Sequence, residues 1–567
     1  MNIKLKACPG RDWETIEIDE NARLDEMASA AEASGDAPYR ILLARVNGRD
    51  AELSETVREG DRVELLDMRT HAANMVYQRS LTMIYLTAAR DVFDAMGLTG
   101  VRVEIDNSIN KGFYTTISIS GADGSGEISR ETASAIENRM LQLVHENVPI
   151  EKQELTPREA METWMDCGYP EKAEIFSGIT DEKRTEVCYS MNGYRNYFYG
   201  PMVPSAGYIE YFRLTRYRDG LLLQFPYYDT PEVMPETVDQ VKLYEAFEED
   251  HRWLQLLDAA TVADMNRIIA RGQTKETILL SEALHEKKIA EIAAEIKEKG
   301  KRIILIAGPS SSGKTTFAKR LCIQLRVAGL KPLYLGTDDY FVERAETPLD
   351  ANGEKNYEDL EALDINLFSN NMNGLLRGEE VDIPEFDFLE GRKIFGRRVT
   401  RIDRDQPIVI EGIHALNDSL TTQIDEGEKY RIYISPLTQL NIDAHNRVPT
   451  TDARMLRRMV RDCKYRNHPP ADTIRDWPKV RAGENRNIFP YNTRADVIFN
   501  SNLAYETFLL RKYAEPLLLE ICPDQPEYSE ARRLLEMLRF FSVIEDEKDV
   551  PNNSIIREFI GGSVFVE

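Results

Sequence analysis

Five short stretches in the second half of the chain, at 303–306, 332–335, 408–410, 431–434 and 497–499, are dense in aliphatic and aromatic residues without a polar–apolar alternation. Strands buried on both faces read this way, and helix-length segments separate them. The pattern predicts an α/β fold in which a parallel sheet carries helices on both faces. The N-terminal part reads differently. Strands are expected at 2–7, 15–19, 40–46 and 62–66 with a short helix at 24–32, in the order β-β-α-β-β, and Asn47-Gly48 marks a tight turn. A helix at 81–93 belongs to a following α+β segment. The stretch 231–299 is polar and mainly helical, with Leu284, Ile289, Ile292, Ala293 and Ile296 on one face and His285 read as a solvated residue on the other. The expected domains are 1–70, 71–230, a connector at 231–299, and 300–567 including a C-terminal extension, where Gly561-Gly562 suggests a turn before a final short strand.

The first apolar strand runs directly into Gly308-Pro-Ser310-Ser311-Ser312-Gly313-Lys314-Thr315, followed by an apolar-periodic helix from Thr316 to Val327. Glycines free the backbone to turn successive N–H groups inward around a phosphate. Lys314 adds a point charge, Thr315 a hydroxyl for Mg²⁺, and the helix N-terminus a favourable dipole. A nucleoside triphosphate is the expected ligand, with Gly308, Ser310, Ser311, Ser312, Gly313, Lys314, Thr315 and Thr316 as its contacts.

In a sheet of this kind ligands gather at the carboxyl ends of the strands. Thr337-Asp338-Asp339-Tyr340 follows the second strand and Glu411-Gly412 the third. Asp338 is the candidate base for an attacking hydroxyl and Asp339 its rival; Glu411 is placed to hold Mg²⁺ directly or through water. The alternative for Asp338 and Glu411 is a cap or strand-end turn. Arg454, Arg457, Arg458 and Arg461 recur at helical spacing, with Arg466 beyond. They read either as a lid over the phosphates or as a solvated helix paired with neighbouring acids.

Composition narrows the partners. Acidic residues exceed basic ones by 96 to 71, a net charge of −25 that opposes non-specific binding to nucleic acid. No apolar run reaches the ~18 residues of a membrane span, and the first residues show no signal-peptide pattern, so the expectation is a soluble cytoplasmic protein without membrane contact. The six cysteines form no C-x-x-C pair and are expected to be reduced.

Several motifs in order make residues 300–520 resemble the uridine kinase and phosphoribulokinase family of P-loop kinases. They are Gly308 to Thr315, Thr337 to Phe341, Tyr357-Glu358 with Glu361-Ala-Leu-Asp364, Ile383-Pro-Glu-Phe-Asp387-Phe388, Glu411-Gly-Ile413, and Arg457-Arg458 with Arg461-Asp462. The resemblance implies ATP with Mg²⁺ as cofactors and Asp338 as the base acting on a sugar 5′-hydroxyl. It also implies catalytic Lys314 and Arg461, a lid containing Arg461 and Arg466, and an acceptor pocket of Asp339, Tyr340, Glu358, Phe386 and Asp387. Oligomers are common in this family. Two departures bear on the acceptor: Phe386 and Gly391 stand where pyrimidine nucleoside kinases carry Tyr and His, and Glu358 replaces an Asp.

The N-terminal part resembles the front of threonyl-tRNA synthetases. Val46-Asn-Gly48, Leu53-Ser54 and Gly60-Asp-Arg-Val-Glu-Leu65 are similar to a TGS-type β-grasp module. Ile105-Asp-Asn107, Gly112-Phe-Tyr114, Glu159-Ala-Met161, Gly200-Pro201 and Pro204 to Gly207 resemble the editing domain behind it. The zinc-ligand positions of that domain are Arg79, Met83, Phe198 and Met202 here, none of which suits zinc. The implied protein is an ATP-dependent nucleoside kinase behind a degenerate synthetase-type pair. The alternatives are a kinase for another small hydroxyl compound, or a nucleotide-switched regulatory or tRNA- or ligand-binding protein.

Overall fold

The computed structural model describes residues 1–119, 128–177, 184–349, 353 and 355–566. The five apolar stretches form one parallel sheet in the order Leu333–Gly336, Ile408–Glu411, Ile303–Ala307, Lys429–Ser435, Val497–Asn500. Every side chain of Ile303–Ala307 is buried, which accounts for the absence of alternation in its sequence. This first strand lies at the centre, with strands added on both sides of it, so the loop after it sits at the point where the strand order reverses.

The N-terminal β-grasp domain is a five-stranded mixed sheet packed on helix Leu24–Ser34. Asn47 and Gly48 have φ of 50° and 81° and close a hairpin between Ile41–Val46 and a strand, Arg49–Ala51, that lacks a propensity signal of its own. Behind it, the helix expected at 81–93 runs from His71 to Ala95 and is buried along most of its length. A four-stranded and a three-stranded antiparallel sheet accompany it. The connector is three helices, Val241–Leu256, Val262–Ala270 and Thr274–Glu298.

Three expectations are corrected. His285 is 1% exposed: its Nε2 lies 3.0 Å from the Asn502 carbonyl and its ring packs on Phe499. It belongs to the seam between the last connector helix and the sheet. Arg454 and Arg457 are neither lid nor solvated face, because both are fully buried in ion pairs with Glu484 and Glu506. The C-terminal stretch forms no final strand among its described residues; it makes a short helix, Arg557–Ile560, that packs on the arginine-bearing helix Thr450–Arg466.

Synthetase-like and α/β parts share buried contacts. Ile105 N donates to the Ala444 carbonyl at 2.8 Å, and Asn441 Nδ2 to the Ile105 carbonyl at 3.0 Å. Lys172 and Asp443, 0% and 2% exposed in their side chains, form an ion pair across this seam at 3.4 Å. No helix among the described residues is long and apolar enough to cross a membrane.

Candidate active site

The strand Ile303–Ala307 delivers the chain into the loop, and helix Lys314–Val327 leaves it. A Cβ on Gly308 would collide with the Ile434 carbonyl of the adjacent strand, so only glycine lets the two backbones approach this closely. Gly313 turns into the helix with φ 83°, and Ser311 shares the left-handed region at φ 61°.

Lys314 Nζ rests on the loop's own carbonyls, Gly308 O at 3.0 Å and Pro309 O at 3.2 Å. Thr315 Oγ1 donates to Glu411 Oε1 at 3.0 Å, and Tyr334 OH donates to the same oxygen at 3.2 Å. Burial pushes the Glu411 carboxyl above its ordinary range, while Lys314 opposes the shift. Ser311 Oγ and Ser312 Oγ are buried without hydrogen-bond partners among the described residues. A cradle of hydroxyls and a lysine that have, among the described residues, no hydrogen-bond partner and no carboxylate partner respectively, beside a paired hydroxyl and carboxylate, fit a phosphate chain with a divalent cation.

Asp338 and Asp339 sit in a short 3₁₀ turn after Leu333–Gly336. Asp339 is held by Arg398 at 2.6 Å, reached from the antiparallel hairpin Val381–Asp387 and Arg392–Thr400. The Asp338 carboxylate accepts no hydrogen bond among the described residues. Its surface is open to the cleft, yet the protein mass around the cleft pushes its pKa up, with Lys314 as the main opposing charge. Glu358 is shifted upward too, first by burial and then by Glu484, with Arg458, Lys314 and Asp338 in its field. Lys314, Asp338, Glu358 and Glu411 therefore share one electrostatic neighbourhood.

Other expected residues separate by position. Phe386 joins Phe341 and Phe388 in an edge-to-face aromatic cluster, with centroids 5.7 and 5.2 Å away, and Tyr357 packs on Phe341. Gly391, in place of histidine, leaves room that Arg344 fills: a Cβ there would strike its guanidinium and stem. Tyr340 is not an acceptor contact. It is 0% exposed, stacked edge-on with Phe368, and its hydroxyl accepts from Asn371 at 3.3 Å. Asp387 accepts from the Leu389 and Glu390 amides at 2.9 and 3.0 Å and holds the hairpin turn instead of facing a ligand.

The arginine helix contacts the phosphate loop from behind. Arg454 Nε donates to Ser310 O at 3.0 Å, Arg457 NH1 to Ser311 O at 3.3 Å, and Arg458 NH1 to Ser310 Oγ at 3.0 Å. Asp462 gathers Arg461, Arg458 and Arg466 at 2.8, 3.3 and 3.4 Å. Only Arg466 of these is largely exposed, at 60%, and its charge reaches Asp338.

Two acids were not legible in the motifs. Glu484, 1% exposed, accepts from Ser310 N at 3.1 Å and pairs with Arg454 and with Arg481. Glu558, in the C-terminal helix, accepts from Thr316 Oγ1 at 2.7 Å and Thr316 N at 3.4 Å. Thr316, expected to contact the nucleotide, is thus engaged by a carboxylate. In the N-terminal part Met83, Phe198 and Met202 are core residues, and Arg79 Nε donates to the Pro201 carbonyl at 3.1 Å.

Residues 303–507 match the family model "Phosphoribulokinase / Uridine kinase family". The chain is 30% identical over 198 residues to a uridine kinase of Staphylococcus epidermidis and 27% identical over 197 residues to one of Deinococcus deserti. Each match covers 35% of this chain and 86% of the relative. The N-terminal region is similar to a threonine–tRNA ligase of Streptococcus suis, at 26% identity over 175 residues. That match covers 31% of this chain and spans only 25% of the ligase.

Proposed function

From the premise that this chain belongs, through residues 303–507, to the phosphoribulokinase and uridine kinase family, we propose that it transfers the terminal phosphoryl group of ATP to the 5′-hydroxyl of a nucleoside-like acceptor. The observation that carries this reading is the unbonded Asp338 carboxylate, standing in the field of Lys314 and beside the Thr315–Glu411 pair.

ATP with Mg²⁺ supplies the phosphoryl group and the charge that neutralises its departure. Lys314 would exchange the Gly308 and Pro309 carbonyls for phosphate oxygens, and Thr315 with Glu411 would hold the metal. Asp338 accepts the proton of the attacking hydroxyl. Glu358, close enough to feel both Asp338 and Lys314, orients the acceptor's remaining hydroxyls. The aromatic group of Phe341, Tyr357, Phe386 and Phe388 suits a planar base. Arg466 covers the open side as a positioning charge.

A second reading keeps the chemistry and changes the acceptor to another small hydroxyl compound. It is favoured by Phe386 and by Gly391 with the Arg344 guanidinium beside it, since these two positions offer no hydroxyl or imidazole to read a pyrimidine edge. The test is a panel of nucleosides, sugars and hydroxy acids scored for acceptor-stimulated ADP formation, with the product located by mass spectrometry. Nucleoside-dependent ADP formation giving a 5′-phosphate supports the first reading, and stimulation by other hydroxyl compounds alone supports the second. No stimulation by any acceptor contradicts both.

A further inference from the structure

One cavity of the molecule lies away from the phosphate loop. It is a chamber of about 760 Å³ between the synthetase-like part and the α/β domain, within the ~300–1,000 Å³ common for small-molecule sites. Arg79, Phe113 and Tyr199 line it from the N-terminal side, and Arg447 and Trp477 from the other.

The two arginines are unusual in having no carboxylate at ion-pair distance among the described residues. Arg79 spends Nε on the Pro201 carbonyl and leaves NH1 buried without a partner. Arg447 lies 5.5 Å over the Phe113 ring, with its Nε likewise unpartnered. Tyr199 lies in the field of both guanidiniums. Asp106 lies in the field of Arg447 and Asp50 in that of Arg79, and burial pushes the Asp106 carboxyl up to about 7, which makes it only a partial counter-charge. The chamber's four acids are engaged elsewhere: Asp452 and Glu530 by Arg533, Glu527 by Arg475, and Glu64 by Lys6. Burial also draws both arginines below their ordinary pKa.

An enclosed guanidinium without a counter-ion is costly, and its planar fork matches phosphate or carboxylate oxygens. Aromatic walls add a surface for a flat ring. We propose that this chamber binds a small organic anion bearing a planar ring, of mononucleotide size, with Arg79 and Arg447 taking the anionic group. The same wall carries Arg454 and Arg481, which hold Glu484 against Ser310 N. The ligand would lie one ion pair away from the phosphate loop.

The test is isothermal titration of the full chain with UMP, phenyl phosphate and benzoate, the last two separating phosphate from carboxylate recognition. Saturable binding of at least one probe is expected in wild type and in Lys314→Ala, one site per chain for phenyl phosphate or benzoate and a second for UMP where it also occupies the acceptor side of the phosphoryl-transfer site. It should be at least about tenfold weaker in Arg447→Met and in Arg79→Met. Both substitutions remove an uncompensated charge, so the unliganded variants should melt no lower than wild type. Failure of all three probes to bind wild type overturns the proposal, as does an affinity that neither substitution changes. Variants that melt several degrees lower would make the guanidiniums structural, and the proposal would fall.

Discussion

Asp338 and Asp339 are neighbours in sequence and opposite in circumstance. Position at the strand end made Asp338 the candidate base and left Asp339 as its rival, and the family resemblance pointed to Asp338 as well. The structure separates them, because Arg398 occupies Asp339 at 2.6 Å while Asp338 faces the cleft without a hydrogen bond among the described residues. Arg398 is invisible as a partner in the sequence, since the hairpin carrying it folds back across 59 positions. Asp339→Asn should therefore keep the rate of phosphoryl transfer within about tenfold, below the ~10²–10⁴ that a positioned base contributes; a larger fall would move the base to Asp339. The upward-shifted Asp338 also gives the pH profile a sign. A base works deprotonated, so kcat/KM should fall as pH drops through a folded pKa lying above 3.8, and the limb should vanish in Asp338→Asn. In stability terms the same shift acts oppositely: the folded state holds this proton more tightly, which favours folding at low pH and is lost as pH rises through the folded pKa.

At the scale of elements, the five parallel strands and the helix after the phosphate loop were legible because burial on both faces suppresses alternation and glycines mark the turn. What was not legible depends on contacts between elements distant in sequence. The C-terminal helix Arg557–Ile560 brings Glu558 to Thr316 across 242 positions, and nothing local in Ile-Arg-Glu-Phe announces it. Helix Thr450–Arg466 looks solvated by composition, yet Arg454 and Arg457 are buried because Glu484 and Glu506 arrive from helices further along the chain. Glu558 places a carboxylate on the first turn of the loop helix, where it favours the helix dipole and opposes an incoming phosphate. Glu558→Gln should tighten ATP binding several-fold and lower stability by about 1 kcal/mol, read by titration calorimetry and by urea unfolding. Weaker ATP binding in this variant would show that the C-terminal helix supports the nucleotide site instead of competing with it.

Across the whole molecule, the expected sequence of a β-grasp domain, a synthetase-like domain, a helical connector and a P-loop domain accounts for the order of the sheets. It did not reveal how tightly the halves are joined. The loop around Asn441 to Asn446 docks on the strand Val101–Ile109, and the buried Lys172–Asp443 pair sits in that seam beside His445 and Asn196. Asp443→Ala leaves an ammonium buried without its counter-ion, and should cost about 3–5 kcal/mol in urea unfolding of the full chain; an unchanged midpoint would mean that Asn196 and His445 suffice. The proposed phosphoryl transfer, with Asp338 as its base, depends on this whole assembly. It is tested most directly by following transfer from γ-labelled ATP to the best acceptor in wild type and in Asp338→Asn, with ATP·Mg²⁺ affinity measured in parallel. A loss of about 10²- to 10⁴-fold in transfer at nearly unchanged affinity is expected; transfer at the wild-type rate in Asp338→Asn would contradict it.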